Sequence, residues 1–206
     1  MIKTHSPFFN DEELSAYYNQ RIVDYGANLD ALQWNSKHSQ DKRYEVIYSL
    51  IDPTCKQLLD LGCGLGDFYL YAKQKHATFQ YIGIDISEKM ICHAQRAYPS
   101  GTFRCANLQW LSPRIKVDTI VASGLINLRM AQHEAYVKHT LEAMLKRASK
   151  QVIINMLATN SKRHKHSKAF VYNNEALIRE YLSDKPYTVK RYDGYLNNDV
   201  SLLITK

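Results

Sequence analysis

Three glycines at alternate positions, Gly62, Gly64 and Gly66, stand between two carboxylates, Asp60 and Asp67, directly after the apolar pair Leu58-Leu59. Glycine opens backbone conformations closed to other residues and lets the main chain come close to a ligand. An apolar run, a loop of this kind and a resumed helical pattern read as a buried parallel strand, a tight turn and a helix starting over a ligand. The carboxylates narrow the choice of ligand. A dinucleotide loop spaced Gly-x-Gly-x-x-Gly from Gly62 needs its third glycine where Asp67 stands, and an acid there repels a pyrophosphate docked on the helix start. A phosphate-cradling loop needs Gly-Lys-Ser/Thr, which is absent. The loop therefore suits a ligand without phosphates that carries a cation and an amine. A second apolar run, ending at Ile84, also terminates in a carboxylate, Asp85.

These residues need a scaffold, and the chain around them alternates. Strands are expected at 57–61, 79–85, 102–105, 117–122 and 151–156, separated by helices at 67–75, from the N-cap Ser87 to Pro99, and at 130–149. Strands separated by helices of this length specify a doubly wound, mostly parallel α/β sheet with right-handed crossovers. After a helix at 173–182, two more strands flank Asn197-Asn198-Asp199, so the last strand of a seven-stranded sheet is expected antiparallel. Ahead of the sheet, Asp11, Glu12 and Glu13 open a helix carrying Leu14, Tyr17, Tyr18 and Ile22, and a second helix spans 40–51 before Pro53. Residues 1–54 thus read as an N-terminal helical cap, and 55–206 as the core of a single compact domain.

Hydrophobic content of 45% and charged content of 23% fit a soluble globular protein of 206 residues. No long uncharged apolar segment predicts a membrane span, and the N-terminus lacks a signal-peptide pattern, so a cytoplasmic location is expected. Cys55, Cys63, Cys92 and Cys105 lie far apart, which suits reduced thiols better than a disulfide framework or a zinc site, and no metal is expected. The net charge is +7, and the window 138–168 carries all of it: eight Lys/Arg against the single acid Glu142. Two readings stand, a solvated helix face with a basic loop, or a patch that attracts an anionic substrate or nucleic acid.

The loop and Asp85 together resemble the motifs of the class I S-adenosylmethionine-dependent methyltransferases. Their first motif, acid-x-Gly-x-Gly-x-Gly after an apolar strand, is matched by Asp60-Leu61-Gly62-Cys63-Gly64-Leu65-Gly66. Their second strand ends in an acid that holds ribose hydroxyls, matched by Asp85, and Ile86 takes the place of the apolar residue that packs on adenine. Where many members have an acid that reads the adenine amino group, this chain has Asn107, followed by Leu108; an asparagine can still hydrogen-bond adenine. Ser123-Gly124 would line the methionine side. The resemblance thus implies S-adenosylmethionine as cofactor and S-adenosylhomocysteine as product. It implies contacts at Asp60, Gly62, Cys63, Gly64, Asp85, Ile86, Asn107, Leu108, Ser123 and Gly124, with Asp60 either touching the ligand or supporting the loop amides. It covers 55–206 and reaches into the cap, where Trp34-Asn35-Ser36, Gln40 and Arg43-Tyr44 look like a subgroup of small bacterial methyltransferases of mostly unassigned substrate; Arg43 joins the implied contacts there.

A sulfonium methyl is already activated, so the protein has mainly to align a nucleophile and exclude water, and a base is needed only for a protonated acceptor. His133, just after the fourth-strand loop, is the best-placed candidate base; His139, His164 and His166 are others. The fourth-strand loop reads Ser123-Gly124-Leu125-Ile126, without the Pro-Pro motif of amino-directed nucleic-acid methyltransferases or a Pro-Cys nucleophile. The expected activity is therefore O- or N-methylation of a small-molecule acceptor, anionic if the basic window faces it, with Tyr17, Tyr18 and Trp34 able to line its pocket. The alternatives are a nucleic-acid or ribosome-directed methyltransferase using 138–168, and a cofactor-binding protein without a reaction.

Overall fold

Side chains alternate between the two faces of a strand, and the apolar pairs of the central strands divide accordingly. The computed structural model describes residues 9–107, 112, 114–158 and 174–206. Strand β1 (Gln57–Leu61) sends Leu59 to one core and Leu58 to the other; β4 (Val117–Ser123) does the same with Ile120 and Val121, and β5 (Ala148–Leu157) with Val152 and Ile153. On the first face they meet Val137, Leu141 and Met144 of α5 (His133–Arg147) and Ile178 and Leu182 of α6 (Asn174–Leu182). On the second they meet Tyr44 and Ile47 of α2 (Lys37–Leu50), Phe68 of α3 (Asp67–Gln74) and Ile91 and Ala94 of α4 (Glu88–Ala97). Both faces are covered, which is why the strands read as nearly continuous apolar runs.

With β2 (Gln80–Asp85), β3 (Thr102–Cys105), β6 (Thr188–Tyr192) and β7 (Asp199–Thr205), the sheet has seven strands in the order β3-β2-β1-β4-β5-β7-β6. β7 alone runs against its neighbours, inserted between β5 and β6. This is the doubly wound α/β sheet that the alternation of elements predicts. The order reverses between β1 and β4, and such a switch point opens a crevice at the carboxyl ends of the strands.

Several boundaries differ from those the sequence suggests, the second helix starting at Lys37 rather than 40, and two of the shifts have a visible cause. The fifth helix starts at His133 rather than 130, because Met130 pairs with Phe9 in a parallel bridge and Ala131 N–H donates to the Phe9 carbonyl at 2.8 Å. The fifth strand starts at Ala148 rather than 151, since Ala148 is already in register with Val117.

The helix α1 (Asp11–Tyr25) lies over the carboxyl ends of the strands. A capping box starts it: Asn10 accepts from Glu13 N–H, and Glu13 returns the bond to Asn10 N–H, both at 2.9 Å. Ser15 Oγ donates to the Ile86 carbonyl at 2.9 Å, and Asn19 Oδ1 accepts from Ser87 Oγ at 2.8 Å, so α1 is fastened to the turn between β2 and α4. Among the described residues no helix is long and apolar enough to cross a membrane.

Candidate functional site

The glycine loop is held by the strand beside it. Gly62 and Cys63 donate their N–H groups to the Ile84 carbonyl of β2, at 2.8 and 3.0 Å. Gly64 (φ +53°) and Gly66 (φ +84°) are in left-handed conformations that disfavour a side chain, and Gly66 turns the chain into α3. Asp85, at the end of β2, accepts from Gly64 N–H at 2.9 Å with one carboxylate oxygen and from Ser87 N–H at 2.8 Å with the other. A carboxylate has about four acceptor sites, so two amides leave capacity for a ligand hydroxyl. Burial raises the Asp85 carboxyl above the usual range, against the pull of the amides it accepts from. Asp60 is buried one strand away and accepts from the Tyr81 hydroxyl at 2.6 Å; burial pushes its carboxyl up to about 7.

A cavity opens over this loop, roofed by the cap. Every described residue that the sequence reading places at the cofactor lines it: Asp60, Gly62, Cys63, Gly64, Asp85, Ile86, Asn107, Ser123, Gly124 and Arg43. Leu108 lies outside the described residues. Trp34 and Tyr18 line it as well, whereas Tyr17 packs instead on Phe9 and Tyr18. Among the lining residues missing from the sequence reading are Asp11, Leu14, Leu32, Gln33, Tyr136 and Asp199. Tyr136 had a signal: it precedes Thr140 by one helical turn, beside the apolar stripe of α5. Asp199 and Asp11 had none, because each acts through a partner far away in sequence.

Those partners shape the roof. Arg43 Nε and Nη2 both lie 2.6 Å from the Asp199 carboxylate, its Nη1 donates to the Ser39 carbonyl at 2.9 Å, and its guanidinium stacks 4.5 Å from the Trp34 ring centre. Side chains of the Arg43–Asp199 pair are only 4% and 1% exposed, so its charges cancel inside the protein. Arg43 is therefore at the cavity but closed on a carboxylate of the chain itself. Asn107 donates from Nδ2 to Asp11 at 2.7 Å, which brings a carboxylate from the cap to the end of β3.

His133 stands apart from this cavity. It is not among the residues lining the cavity. Its Nδ1 accepts from Met130 N–H at 3.3 Å, so Nε2 carries the proton and donates to Asn174 Oδ1 at 2.7 Å. Burial holds its pKa below the ordinary histidine value. The ring pins the loop before α5 to the start of α6, a structural role that leaves neither nitrogen to a substrate. Among the described residues no histidine lines the cavity.

The described part of the basic window is also spoken for. Lys138 pairs with Glu134 at 2.7 Å and Lys146 with Glu142 at 2.6 Å, Arg147 is buried, and Lys150 donates to the Thr54 carbonyl at 3.0 Å. Lys162, Arg163, Lys165 and Lys168 lie outside the described residues.

The chain is similar to known methyltransferases in sequence and in fold. Residues 58–152 match the methyltransferase domain family. A putative methyltransferase, 235L of Invertebrate iridescent virus 6, is 25% identical over 176 residues, 82% of this chain and 63% of that protein. Trans-aconitate 2-methyltransferase of Acidovorax sp. (strain JS42) is 28% identical over 92 residues, 45% of this chain and 35% of that protein. The chain thus spans less than two thirds of the length of these relatives. In fold it is similar to magnesium protoporphyrin IX methyltransferase of Synechocystis PCC 6803, solved with S-adenosylhomocysteine bound. There the TM-score is 0.69 at 20% identity, covering 95% of this chain and 99% of that one.

Proposed function

We propose that this chain is a class I S-adenosylmethionine-dependent methyltransferase that moves the methyl group of that cofactor onto a small-molecule acceptor held between the helical cap and the glycine loop. The observation that carries this reading is the convergence of the cofactor motifs and the cap aromatics on one cavity. The residues present fit the cofactor. Asp85 has acceptor capacity for ribose hydroxyls, Ile86 offers an apolar face to adenine with Asn107 at its edge, and Gly62, Gly64, Ser123 and Gly124 lie on the wall where the methionine side would run. Asp11, Asp60, Asp85 and Asp199 on the wall, against Arg43, favour a cationic ligand.

When bound, S-adenosylmethionine supplies a methyl group already activated by its sulfonium charge. The chain's task is then alignment and exclusion of water. Tyr18, Trp34, Tyr44 and Phe68 give an apolar chamber. Burial raises the Tyr18 and Tyr136 hydroxyls well above their ordinary value, so neither removes a proton at neutral pH. No histidine lies on the described wall, and His164 and His166 lie outside the described residues; an unprotonated amine nitrogen or an ionised oxygen would attack without a base. Similarity to enzymes named for trans-aconitate and for magnesium protoporphyrin IX supports a small acceptor of this kind. The four unpaired-in-sequence cysteines, all free thiols, support a cytoplasmic setting.

Calorimetry with S-adenosylmethionine and S-adenosylhomocysteine, beside a screen for S-adenosylhomocysteine release over small acids, amines and phenols, tests the reading. Binding with turnover on one of these classes is expected. Failure to bind either compound overturns the cofactor assignment, and binding without turnover on any acceptor favours a non-catalytic role. The ion pairs made by Lys138 and Lys146 weigh against a nucleic-acid acceptor, and salt-dependent retention on RNA at low ionic strength would count for one.

A further inference from the structure

Residues 29–34 form a strap across the carboxyl ends of β1 and β4. Leu32 Cδ2 lies 2.8 Å from where a Cβ on Gly64 would stand, and the Trp34 ring lies 3.3 Å from the same point on Gly124. Two main-chain bonds close the strap: Gln33 N–H to the Asp30 carbonyl at 3.0 Å and Trp34 N–H to the Leu29 carbonyl at 2.9 Å. Between Leu32 and Trp34, Gln33 has a φ of +60°, a left-handed conformation that a non-glycine residue keeps only where its surroundings impose it. Its side chain lines the cavity, and its Nε2 is buried without a hydrogen-bond partner among the described residues. A buried amide nitrogen without a partner is a standing cost to the folded chain. Here that cost is concentrated on the wall that spans the two glycine loops.

We propose that Gln33 holds the amino-acid end of S-adenosylmethionine, an inference that rests on the cofactor assignment above. That end carries an ammonium and a carboxylate. The described wall favours the ammonium and the sulfonium through Asp11, Asp60 and Asp85, and it opposes the carboxylate. Arg43, the cation on that wall, is closed on Asp199 and the Ser39 carbonyl. The carboxylate therefore needs an uncharged donor in a water-poor place. A carboxamide supplies an N–H for the carboxylate and a carbonyl oxygen for the ammonium, a pair of groups matched to an amino-acid zwitterion. Gln33 is a positioning residue for the reaction: it fixes the tail, and with it the direction in which the sulfonium methyl points.

The test compares S-adenosylhomocysteine with 5′-methylthioadenosine, which keeps the nucleoside and the thioether but lacks the amino-acid end. Both are titrated by calorimetry into the full chain and its Gln33→Leu, Gln33→Glu and Gln33→Gly variants. Gln33→Leu is expected to weaken S-adenosylhomocysteine by about ten- to a hundredfold, as loss of hydrogen bonds to charged groups implies, and to leave methylthioadenosine within about twofold. Gln33→Glu is expected to weaken S-adenosylhomocysteine further, by repelling its carboxylate. Gln33→Gly relieves the left-handed backbone while removing the amide, so thermal stability holds or rises as S-adenosylhomocysteine affinity falls. Equal losses for both ligands, or an unchanged S-adenosylhomocysteine affinity in Gln33→Leu, overturn the proposal. A wild-type chain that binds methylthioadenosine as tightly as S-adenosylhomocysteine overturns it too, while one that binds neither removes the cofactor assignment itself.

Discussion

The floor and the roof of the cavity are built by opposite means. The floor is local: a glycine loop following β1, fastened to the adjacent strand by two N–H groups on the Ile84 carbonyl and by Asp85 on Gly64. The roof is assembled from residues remote in sequence. Arg43 reaches Asp199 across 156 positions, Asp11 reaches Asn107 across 96, and Ser15 reaches Ile86 across 71. A short string of residues suffices for the floor because sheet geometry delivers its partner strand automatically. The roof exists only once the sheet is complete. The two also differ electrostatically: on the floor Asp60 and Asp85 are buried without cations, while in the roof Asp199 is neutralised by Arg43.

Breaking the roof pair should have the largest effect. Arg43→Met leaves Asp199 buried and unpaired, and is expected to destabilise the chain by about 3–5 kcal/mol in denaturant melts. The double variant Arg43→Met/Asp199→Leu should recover much of that loss; a double variant no better than the single one would show that the pair's geometry, not its charge balance, holds the roof. On the floor, Asp85→Ala should weaken S-adenosylhomocysteine by about a hundredfold in calorimetry, and an unchanged affinity would remove the ribose assignment. His133→Ala strips partners from Met130 N–H and Asn174, so a stability loss of about 1–3 kcal/mol is expected with cofactor affinity unchanged at temperatures where the variant is folded. A fall in turnover on the folded variant larger than its loss of folded protein would restore a chemical role to this ring.

The smallest effect is with pH. The Asp60 carboxyl stands higher in the folded chain than in the unfolded one, so the folded state holds its proton more tightly and this group's contribution to stability is lost as pH rises from about 4 towards about 7. Ligand binding has the opposite sense. The cofactor's positive charges favour ionised Asp60, so affinity should fall about tenfold between about pH 8 and about pH 6, with proton release on binding. Asp60→Asn should flatten that profile; a wild-type profile already flat over this range would mean that Asp60 does not feel the ligand.

The same contrast explains what could be read from the chain. The strands, their mostly parallel arrangement and the floor residues were legible because periodicity, glycine spacing and strand-end acids are local signals. Gln33 was not legible, since nothing in the order of residues marks a left-handed glutamine with its amide turned inward. Asp199 sat within a turn signal, Asn197-Asn198-Asp199, and turn chemistry accounts for such an aspartate without a distant arginine. For His133 the place after the fourth strand is visible in sequence, but the direction of its ring, set by Asn174 some 41 residues on, is not.

The insertion of β7 between β5 and β6 has a consequence for the timing of maturation. During synthesis from the N-terminus, Arg43 and the glycine loop emerge long before Asp199 does, and domains fold largely as units as the chain appears. An emerging chain that ends before β7 therefore carries the cofactor loop beneath a roof whose arginine has no counter-charge. Until β7 joins the sheet, Arg43 and Asp199 cannot close the roof over the glycine loop.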